Sequence, residues 1–537
     1  MQIPFVGPTY NGRSNSVNSS KSVNFYVEVN KEQDSVSPVS LVGTPGTLLW
    51  KRLGDNPIRQ MYKFGDFLFV ATGNKFYRVT STGVVTEVGS LNTNSGFIRI
   101  SDNGVAARGV GGNQLLIIDG TYGYIYDYLS NTIITHPSSN FPVPVKAVSY
   151  MDGYFIVSSG NMGITVSELY DATTFNGLAV AAAISTPDNI SNIVNLHQQL
   201  FLIKEYSTEV WYNAGIATQD GCPFARVNGA VIDYGTTSPY SVARGNNSLF
   251  FLGNARLGSG SSAFCGIVEL QGYTPTVIST PAITYAMSKF QDKHLAEAYC
   301  YTDEGHTFYV ITFPVSNVTY AYDTSSQMWH ERSTYSKKDE VTFGVDGKPT
   351  IKHELPNTQN RHLSSCYVNF AGKHLVGDYR TGNIYEMNSS YYSDNGEPIV
   401  SIRTSPLVMD NNDNKEIFTS RLTVNAESGV GDSSVFSDEN FVGYLADGSI
   451  TADGTYYAGS LNFVLSTEGD PEAYLSWSND SGNTWSSEYP ASLGKEGEYN
   501  TRMVWRRLGK ARNRVYRLRI SSSVKKVISS ATVEASL

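Results

Sequence analysis

The residues with the clearest chemical pattern lie in the stretch SWSNDSGNTWS, at positions 476–486. They follow the spacing S-x-D-x-G-x-T-W and are Ser478, Asp480, Gly482, Thr484 and Trp485. A carboxylate in such a setting can act as an acid or base on a glycosidic bond, or it can accept hydrogen bonds that hold a turn. The two uses predict different classes of protein.

The same spacing defines the Asp box of sialidases and other glycan-acting propellers, where the box forms a hairpin turn away from the catalytic pocket. A sialidase also needs an arginine cluster that binds the substrate carboxylate and a tyrosine activated by a glutamate. The chain contains one complete box, and the stretch YTDEGHTF at 301–308 has Tyr301 in place of the leading serine. The pattern therefore predicts a structural β-hairpin, and a sialidase-like or glycan-binding propeller is the alternative.

Other patterns of catalytic or ligand-binding residues are absent from the sequence. The eight histidines form no H-x-x-x-H or H-E-x-x-H pair. The four cysteines, Cys222, Cys265, Cys300 and Cys366, match neither a C-x-x-C metal site nor a compact disulfide framework. We therefore expect buried free thiols, no metal, no cofactor and no catalytic residue.

A basic stretch covers residues 501–526, with ten Lys or Arg and no acidic residue. The whole chain has a net charge of −9, which disfavours general affinity for nucleic acid. Strand alternation within VYRLRIS places two sets of side chains on opposite faces, Val515, Arg517 and Arg519 against Tyr516, Leu518 and Ile520. The stretch is predicted to form salt bridges with another domain or subunit, and a DNA-facing strip is the alternative.

The elements that must position these residues are β-strands. The 537 residues include 35 Tyr and 48 Gly, and only 17% are charged, which is typical of an all-β protein. An apolar strand followed by a turn returns seven times, starting at Phe67, Leu115, Tyr154, Leu200, Leu249, Phe308 and His374. Successive starts are 48, 39, 46, 49, 59 and 66 residues apart, and one four-stranded propeller blade takes roughly 40 to 50 residues. The repeat predicts a β-propeller of about six to eight blades, with an array of β-sandwiches as the rival architecture.

Changes in composition and strand pattern along the chain predict three regions. Residues 1–50 are rich in Ser and Asn and are expected to form an extended N-terminal arm that packs on other elements. Residues 51–395 are assigned to the propeller, with a polar insertion near 333–363 that is a candidate tip or docking loop. Residues 396–537 are assigned to a C-terminal β-sandwich or platform domain that contains the Asp-box hairpin. No signal-peptide pattern or membrane-spanning segment is found, which predicts a soluble chain made in the cytoplasm.

Several blocks of the sequence are similar to one known family. They are PGTLLWKRLG, FLFVATGNKFYRV, FLIKEYSTEVWYNAG, YAYDTSSQMWHER and the early SVNFYVEVN. The most specific block is AYLSWSNDSGNTWSSEYPASLGKEGEYNTRMVWRRLGKARNRVYRLRIS, near the C-terminal end. Together they resemble the tail hub or nozzle proteins of short-tailed bacteriophages (podoviruses), also called packaged-DNA stabilisation proteins.

The resemblance implies a structural protein of the virion tail that is assembled in the host cytoplasm and has no catalytic activity. Six copies would form a ring below the portal and its adaptor, continue and close the DNA channel, and retain the packaged genome. The ring would also dock tailspikes or fibres, for which the insertion near 333–363 is the candidate tip or fibre dock, and a tail plug or needle. Genomic DNA would pass without high-affinity binding. The C-terminal block then supplies candidate contacts with neighbouring subunits or the adaptor, namely Trp505, Arg506, Arg507, Arg514, Arg517 and Arg519.

Overall fold

The computed structural model describes residues 2–15, 18–30, 37–109, 111–256, 262–335, 339–343, 349–353, 360–409, 415–430, 434–438, 461–465 and 470–536. Strands account for most of these residues, and the one α-helix found among them is α1 (Pro281–Ser288). The prediction of an all-β protein is therefore confirmed.

Among the described residues, six strands precede the first repeat unit. They are β1 (Gln2–Ile3), β2 (Tyr10–Asn11), β3 (Ser19–Val23), β4 (Phe25–Val29), β5 (Val39–Gly43) and β6 (Gly46–Arg52). Most of their partner strands lie several hundred residues further along the chain.

The repeat units form four-stranded antiparallel sheets in which consecutive strands are neighbours. The first two sheets consist of β7 (Ile58–Phe64), β8 (Phe67–Thr72), β9 (Lys75–Val79) and β10 (Val85–Ser90), then β11 (Arg99–Asp102), β12 (Gln114–Ile118), β13 (Gly123–Asp127) and β14 (Thr132–Thr135). The next two consist of β15 (Ala147–Met151), β16 (Tyr154–Ser158), β17 (Gly163–Glu168) and β18 (Asp171–Ala182), then β19 (Ile190–Leu196), β20 (Gln199–Lys204), β21 (Thr208–Asn213) and β22 (Phe224–Ile232).

Three further sheets continue the series. The fifth and sixth consist of β23 (Ala243–Gly245), β24 (Ser248–Arg256), β25 (Ser262–Gln271) and β26 (Thr274–Val277), then β27 (Glu297–Asp303), β28 (His306–Phe313), β29 (Val318–Asp323) and β30 (Met328–Arg332). A separate hairpin of β31 (Asp339–Phe343) and β32 (Pro349–His353) follows, and the seventh sheet contains β33 (Ser364–Phe370), β34 (Lys373–Asp378) and β35 (Asn383–Asn388).

The remaining strands lie after the seventh sheet. They are β36 (Ser393–Asp394), β37 (Glu397–Pro398), β38 (Ser401–Thr404), β39 (Val408–Met409), β40 (Ile417–Ala426), β41 (Ser434–Asp438), β42 (Leu461–Leu465), β43 (Glu472–Ser478), β44 (Tyr489–Ser492), β45 (Met503–Ala511), β46 (Asn513–Ile520) and β47 (Val527–Ser536).

The seven sheets are the blades of a closed β-propeller. Neighbouring blades share apolar clusters, and the cluster that contains Ile58, Leu68 and Leu375 joins the seventh blade back to the first. Each of the seven predicted starts lies in the second strand of its blade. The propeller prediction is therefore confirmed, with seven blades in the described residues.

The seventh blade takes its outer strand from the beginning of the chain. β6 pairs antiparallel with β35, so that Gly46 faces Asn388. A Cβ atom on Gly46 would lie 2.5 Å from the carbonyl oxygens of Tyr391 and Ser393. Glycine therefore allows the segment that follows β35 to pack closely against the start of β6.

Two further sheets form a β-sandwich. One has the order β4-β5-β47-β40-β45, with β1 added to β47, and the other includes β3-β38-β46-β43-β44. The apolar core between them includes Phe25, Leu41, Leu422, Leu518 and Ile528. Strand β3 also pairs in parallel with β30, so one sheet runs from the sixth blade into the sandwich.

A buried arginine fastens the N-terminal segment to the sandwich. Arg403, on β38, is 1% exposed and donates hydrogen bonds to the carbonyl oxygens of Phe5 at 2.6 Å and Pro8 at 2.9 Å. Burial lowers the pKa of this guanidinium to about 9. A buried charge is costly unless polar groups solvate it, so Arg403 holds these carbonyl groups in place.

The polar insertion predicted near 333–363 lies partly outside the described residues. Its described part includes the hairpin of β31 and β32, which adds no strand to a blade. Its end is fixed to the sixth blade, because Asn317 Nδ2 donates to Asn360 Oδ1 at 2.8 Å and the backbone N–H of His362 donates to Thr319 Oγ1 at 3.0 Å. A role as tip or fibre dock stays a prediction.

Two histidines are buried in surroundings that disfavour the positively charged imidazolium. His330 is 2% exposed and His362 is 1% exposed, and Nε2 of each has no hydrogen-bond partner within the described residues. Burial, followed by the nearby charge of Arg332, lowers the pKa of His330 to about 3 and that of His362 well below its usual range. Since an unfolded histidine titrates near pH 6.5, the stability that these neutral side chains contribute is lost as the pH falls below that value.

Replacing Gly46 with alanine is expected to weaken the packing at the start of β6. The added methyl group would meet two backbone carbonyl oxygens, and overpacking of this kind costs roughly 1–3 kcal/mol. Gly177→Ala is the control, because its Cβ would meet only the Asn140 side chain at the ordinary contact distance of 3.6 Å. Calorimetry should show a lower Tm for Gly46→Ala alone, and equal Tm values would contradict the close packing of the segment after β35 against the start of β6.

Acidification is expected to destabilise the protein through His330 and His362. Each should lower the free energy of unfolding by about 2 kcal/mol between pH 7 and pH 5, because the unfolded state binds the proton that the folded state excludes. Denaturant titrations at several pH values should show that His330→Gln and His362→Gln each reduce this loss. The exposed control His294→Gln should not, and a pH dependence that is the same in all three variants would refute the assignment.

Candidate interaction surfaces

The Asp-box residues form the turn between β43 and β44. Asp480 accepts hydrogen bonds from Ser478 Oγ at 2.6 Å, from Thr484 Oγ1 at 2.6 Å and from the backbone N–H of Thr484 at 2.8 Å. These bonds, led by the one from Ser478, hold the pKa of the Asp480 carboxyl well below its usual range. Such a group stays ionised at neutral pH, so it cannot serve as a general acid.

The other residues of the pattern also serve the turn. The Ser478 hydroxyl accepts a hydrogen bond from the backbone N–H of Gly482 at 2.7 Å. Gly482 has a φ of +96°, which glycine adopts without strain. The guanidinium carbon of Arg517 lies 4.0 Å from the centroid of the Trp485 ring, which docks the turn against β46.

Two of the predicted contact residues lie on the outer face of the sandwich. Arg519 forms two hydrogen bonds to Glu488, at 2.6 and 2.9 Å, and its guanidinium lies 4.4 Å from the centroid of the Tyr474 ring. Arg517 Nε donates to Ser476 Oγ at 3.1 Å. The alternating residues of β46, Tyr516, Leu518 and Ile520, belong to the apolar core. Both arginines therefore have partners within the chain, and a contact with another chain stays a prediction.

Two other predicted contact residues, Trp505 and Arg514, are each 4% exposed. Trp505 belongs to the sandwich core, and its Nε1 donates to the carbonyl oxygen of Tyr489 at 2.9 Å. Arg514 donates to the carbonyl oxygen of Leu508 at 2.7 Å and to Asn479 Oδ1 at 2.9 Å, which ties the Asp-box turn to β45. Burial removes both side chains from the surface, so they stabilise the sandwich internally.

The last two, Arg506 and Arg507, are exposed on β45, the edge strand of its sheet. Arg507 has a φ of +60° where the pairing with β40 shifts register, and this bulge exposes two consecutive side chains. We call the exposed cations on and beside this strand the β45 rim, namely Arg502, Arg506, Arg507, Lys510 and Arg512. Within the part of the chain that the structure describes, the ion pairs near the rim are formed by Arg421, Arg519 and Lys525 and not by the cations of the rim. Sequence alternation alone does not reveal the rim, because its exposure depends on the bulge and on the edge position.

A cavity of about 340 Å³ lies between the inner strands of the blades. Glu297 lines it, and burial raises the pKa of this carboxyl to about 7. Arg59 also lines the cavity, but its guanidinium donates to the carbonyl oxygens of Gly73 at 2.8 Å and Thr93 at 2.9 Å. Burial raises the pKa of the Cys366 thiol to about 12, which makes it a poor nucleophile. These contacts and the high pKa of the thiol fit a structural role for the residues that line the cavity.

Metal-binding and membrane-spanning features are absent from the described ranges. No group of three or more His, Cys, Asp or Glu side chains within them could hold a metal ion. The four cysteines are free thiols. None of the described helices is long and apolar enough to cross a membrane.

Two family models match the chain and take in both the propeller and the sandwich. The model described as bacteriophage P22 Gp10, beta-propeller, matches residues 1–392, which is more than half of the chain. The chain belongs to the bacteriophage P22 Gp10 family. A second model, described as bacteriophage P22 Gp10, beta-sandwich, matches residues 459–536. The family resemblance inferred from the sequence is thereby confirmed, and it supports a structural role in a phage tail that stabilises packaged DNA.

Other comparisons are more distant. No curated protein matches the chain significantly. Among solved structures, the computationally designed Ika8 protein is 8% identical with a TM-score of 0.34, and the match covers 64% of this chain and 99% of that one. YCF48 bound to D1 peptide is 9% identical with a TM-score of 0.36, covering 64% and 97% of the two chains. The Pan2 WD40 domain of Neurospora crassa is 7% identical with a TM-score of 0.37, covering 62% and 90%.

Replacing Asp480 with alanine is expected to destabilise the sandwich of this P22 Gp10 family member. The variant loses the acceptor that orders the turn, and loss of such local capping bonds lowers stability. Thermal unfolding followed by circular dichroism should show a Tm reduced by a few degrees. Glu496→Ala, at an exposed position in the same domain, is the control and should leave the Tm unchanged. A melting curve for Asp480→Ala that matches that of the unmodified protein would leave the motif without a structural role.

Proposed function

We propose that this chain is a ring-forming subunit of a short phage tail. Six copies surround the DNA channel below the portal and its adaptor, and the ring continues and closes that channel so that the packaged genome is retained. The observation that carries this proposal is the pair of family matches, which together take in the propeller and the sandwich.

A subunit of a channel wall has to keep its shape while DNA moves past it, and the N-terminal segment supports this requirement. β3 forms hydrogen bonds with both the sixth blade and β38 of the sandwich. The Asn24 side chain donates to the carbonyl oxygens of Ser333 at 2.9 Å and Val400 at 3.0 Å. Because separation of the propeller and the sandwich would leave these buried polar groups unpaired, the two parts behave as one rigid subunit.

The charge of the chain also supports a channel role. Contacts between cations and phosphates dominate the affinity of proteins for DNA. A net charge of −9 avoids such contacts over most of the surface, so genomic DNA passes without being held at each step. Retention of the genome then depends on a narrow constriction rather than on tight binding.

The proposed partners are the portal adaptor, a tailspike or tail fibre, and a tail plug or needle. The insertion near 333–363 is the proposed dock for the spike or fibre. Its hairpin lies between the sixth and seventh blades in the chain and contributes no strand to either, so it is free to serve a contact without disturbing the propeller. Localisation in the virion tail follows from this set of partners.

A glycan-acting propeller is the alternative that the Asp box suggests. The geometry of the box gives it little support, because the Asp480 carboxylate is engaged in its own turn. The box also lies between two strands of the sandwich and not in a blade.

Mixing the purified chain with portal and adaptor is expected to give rings of six copies. Negative-stain electron microscopy should show six-fold particles at the adaptor, because a ring subunit is completed by its neighbours. The same preparation, incubated with sialylated or capsular polysaccharide, should release no sugar. A chain that stays monomeric with adaptor present would contradict the ring, and sugar release would favour the alternative.

A further inference from the structure

We propose that the β45 rim of one copy binds an acidic and apolar surface on the third and fourth blades of the next copy. This inference rests on the ring of the proposed function and names the two surfaces that form its contact. β45 is the edge strand of its sheet, and exposed cations oppose pairing of such an edge with any other strand. The cations are instead available as side chains to an acidic partner.

Apolar side chains flank the cations of the rim. Met409 is 38% exposed, Phe418 is 40% exposed and Tyr489 is 47% exposed. Phe418 faces Lys510 directly in the pairing of β40 with β45. Arg, Met and aromatic residues are the types that protein interfaces enrich, whereas contacts with a DNA backbone are made mainly through its phosphates. The composition of the rim therefore favours a protein partner.

The distribution of charge makes a second copy a suitable partner. The chain has 40 Lys and Arg against 49 Asp and Glu, and ten of the cations lie in 501–526. The rest of the chain thus has 30 cations against 49 acidic residues, a net charge of −19. A basic rim that meets the acidic remainder of a neighbour is complementary in charge, which speeds encounter and fixes orientation.

The best-matched acidic surface lies where the turns of the third and fourth blades meet. Asp152 and Asp220 are exposed there, and Glu168 is half-buried beside them. Asn213 Nδ2 donates to Asp152 Oδ2 at 3.2 Å, and Thr218 Oγ1 donates to Glu168. These bonds hold the loop between β21 and β22, which carries Asp220, against the third blade.

Exposed apolar side chains accompany these carboxylates. Leu169 is 51% exposed, Tyr170 is 38% exposed, Tyr212 is 45% exposed and Ile216 is 42% exposed. Leu169 and Tyr170 also border Gly153, whose Cβ would lie 2.5 Å from Leu169 and 3.3 Å from Tyr170. A patch of this kind marks an interaction site. It offers acidic groups to the cations of the rim and apolar groups to the apolar residues that flank them.

The two surfaces lie on well-separated parts of the subunit. The sandwich joins the propeller through the pairing of β3 with the sixth blade. Around the circle of seven, the third blade is three blades and the fourth blade two blades away from that junction. A closed ring needs a head-to-tail contact in which two different surfaces of the subunit meet, and this placement meets that requirement.

The test compares full-length proteins by sedimentation velocity over a concentration series, which gives the concentration of half-assembly. Arg506→Glu with Arg507→Glu, and separately Asp152→Lys with Asp220→Lys, should each raise that concentration by about 100-fold, because like charges then face each other. The four substitutions combined should bring it back to within about tenfold of the original value. Lys63→Glu with Lys146→Glu, two exposed positions on the propeller, is the charge-matched control and should assemble normally.

Each other result overturns the inference. A ring that tolerates Arg506→Glu with Arg507→Glu would exclude the rim, and loss of assembly in both pairs without recovery in the combination would exclude the pairing of these surfaces. If the rim variant assembles normally but loses affinity for a double-stranded oligonucleotide in fluorescence anisotropy, the rim binds DNA instead. If the unmodified chain forms no ring, the proposed function itself is contradicted. The unmodified protein therefore separates failure of the proposed function from failure of this inference.

Discussion

The pairing of the first 52 residues with strands from the far end of the chain is the interaction on which the rest of the structure depends. β6 supplies the outer strand of the seventh blade, and β1, β3, β4 and β5 complete the two sheets of the sandwich. The circle of blades therefore closes only when β6 pairs with β35 at the other end of the repeat region, and the sandwich core needs strands from both ends of the chain. The entropic cost of closing loops this long grows only slowly with their length, and burial of the apolar core offsets it. The propeller and the sandwich are thus expected to unfold together.

The pairing of the N-terminal strands also fixes the position of the sandwich relative to the propeller. A propeller alone would present blades around an axis, but β3 continues the sixth blade into the sandwich and gives the subunit a fixed second part. Arg403 and Asn24 secure the same segment with buried polar bonds, whose loss would leave charged or polar groups unsatisfied. The subunit can therefore carry one contact surface on the sandwich and another on distant blades without a change in their relative position. A body of this kind meets the requirement of the proposed ring, and the Asp-box carboxylate is engaged within its own turn.

Local patterns predicted much of this structure, and long-range pairing accounts for what they missed. All seven predicted starts lie in the second strand of a blade, because that strand is buried on both faces and has the strongest apolar run. The Asp-box turn was predictable because its bonds are made within the motif. The outer strand of the seventh blade was not, since Gly46–Arg52 has an ordinary strand sequence and its partner lies far along the chain. Trp505 and Arg514 were predicted as contact residues, but both are buried. The alternation of β46 already places Arg514 on the face of Tyr516 and Leu518. The burial of Trp505 depends instead on the packing of β45 against the core.

Electron cryo-microscopy of the complete tail tests the central claim most directly, because it shows the chain among its partners. The account predicts density for six copies around the DNA channel, each with its propeller and sandwich joined as described. Density for this chain outside the axis, as an appendage that does not surround the channel, would contradict it.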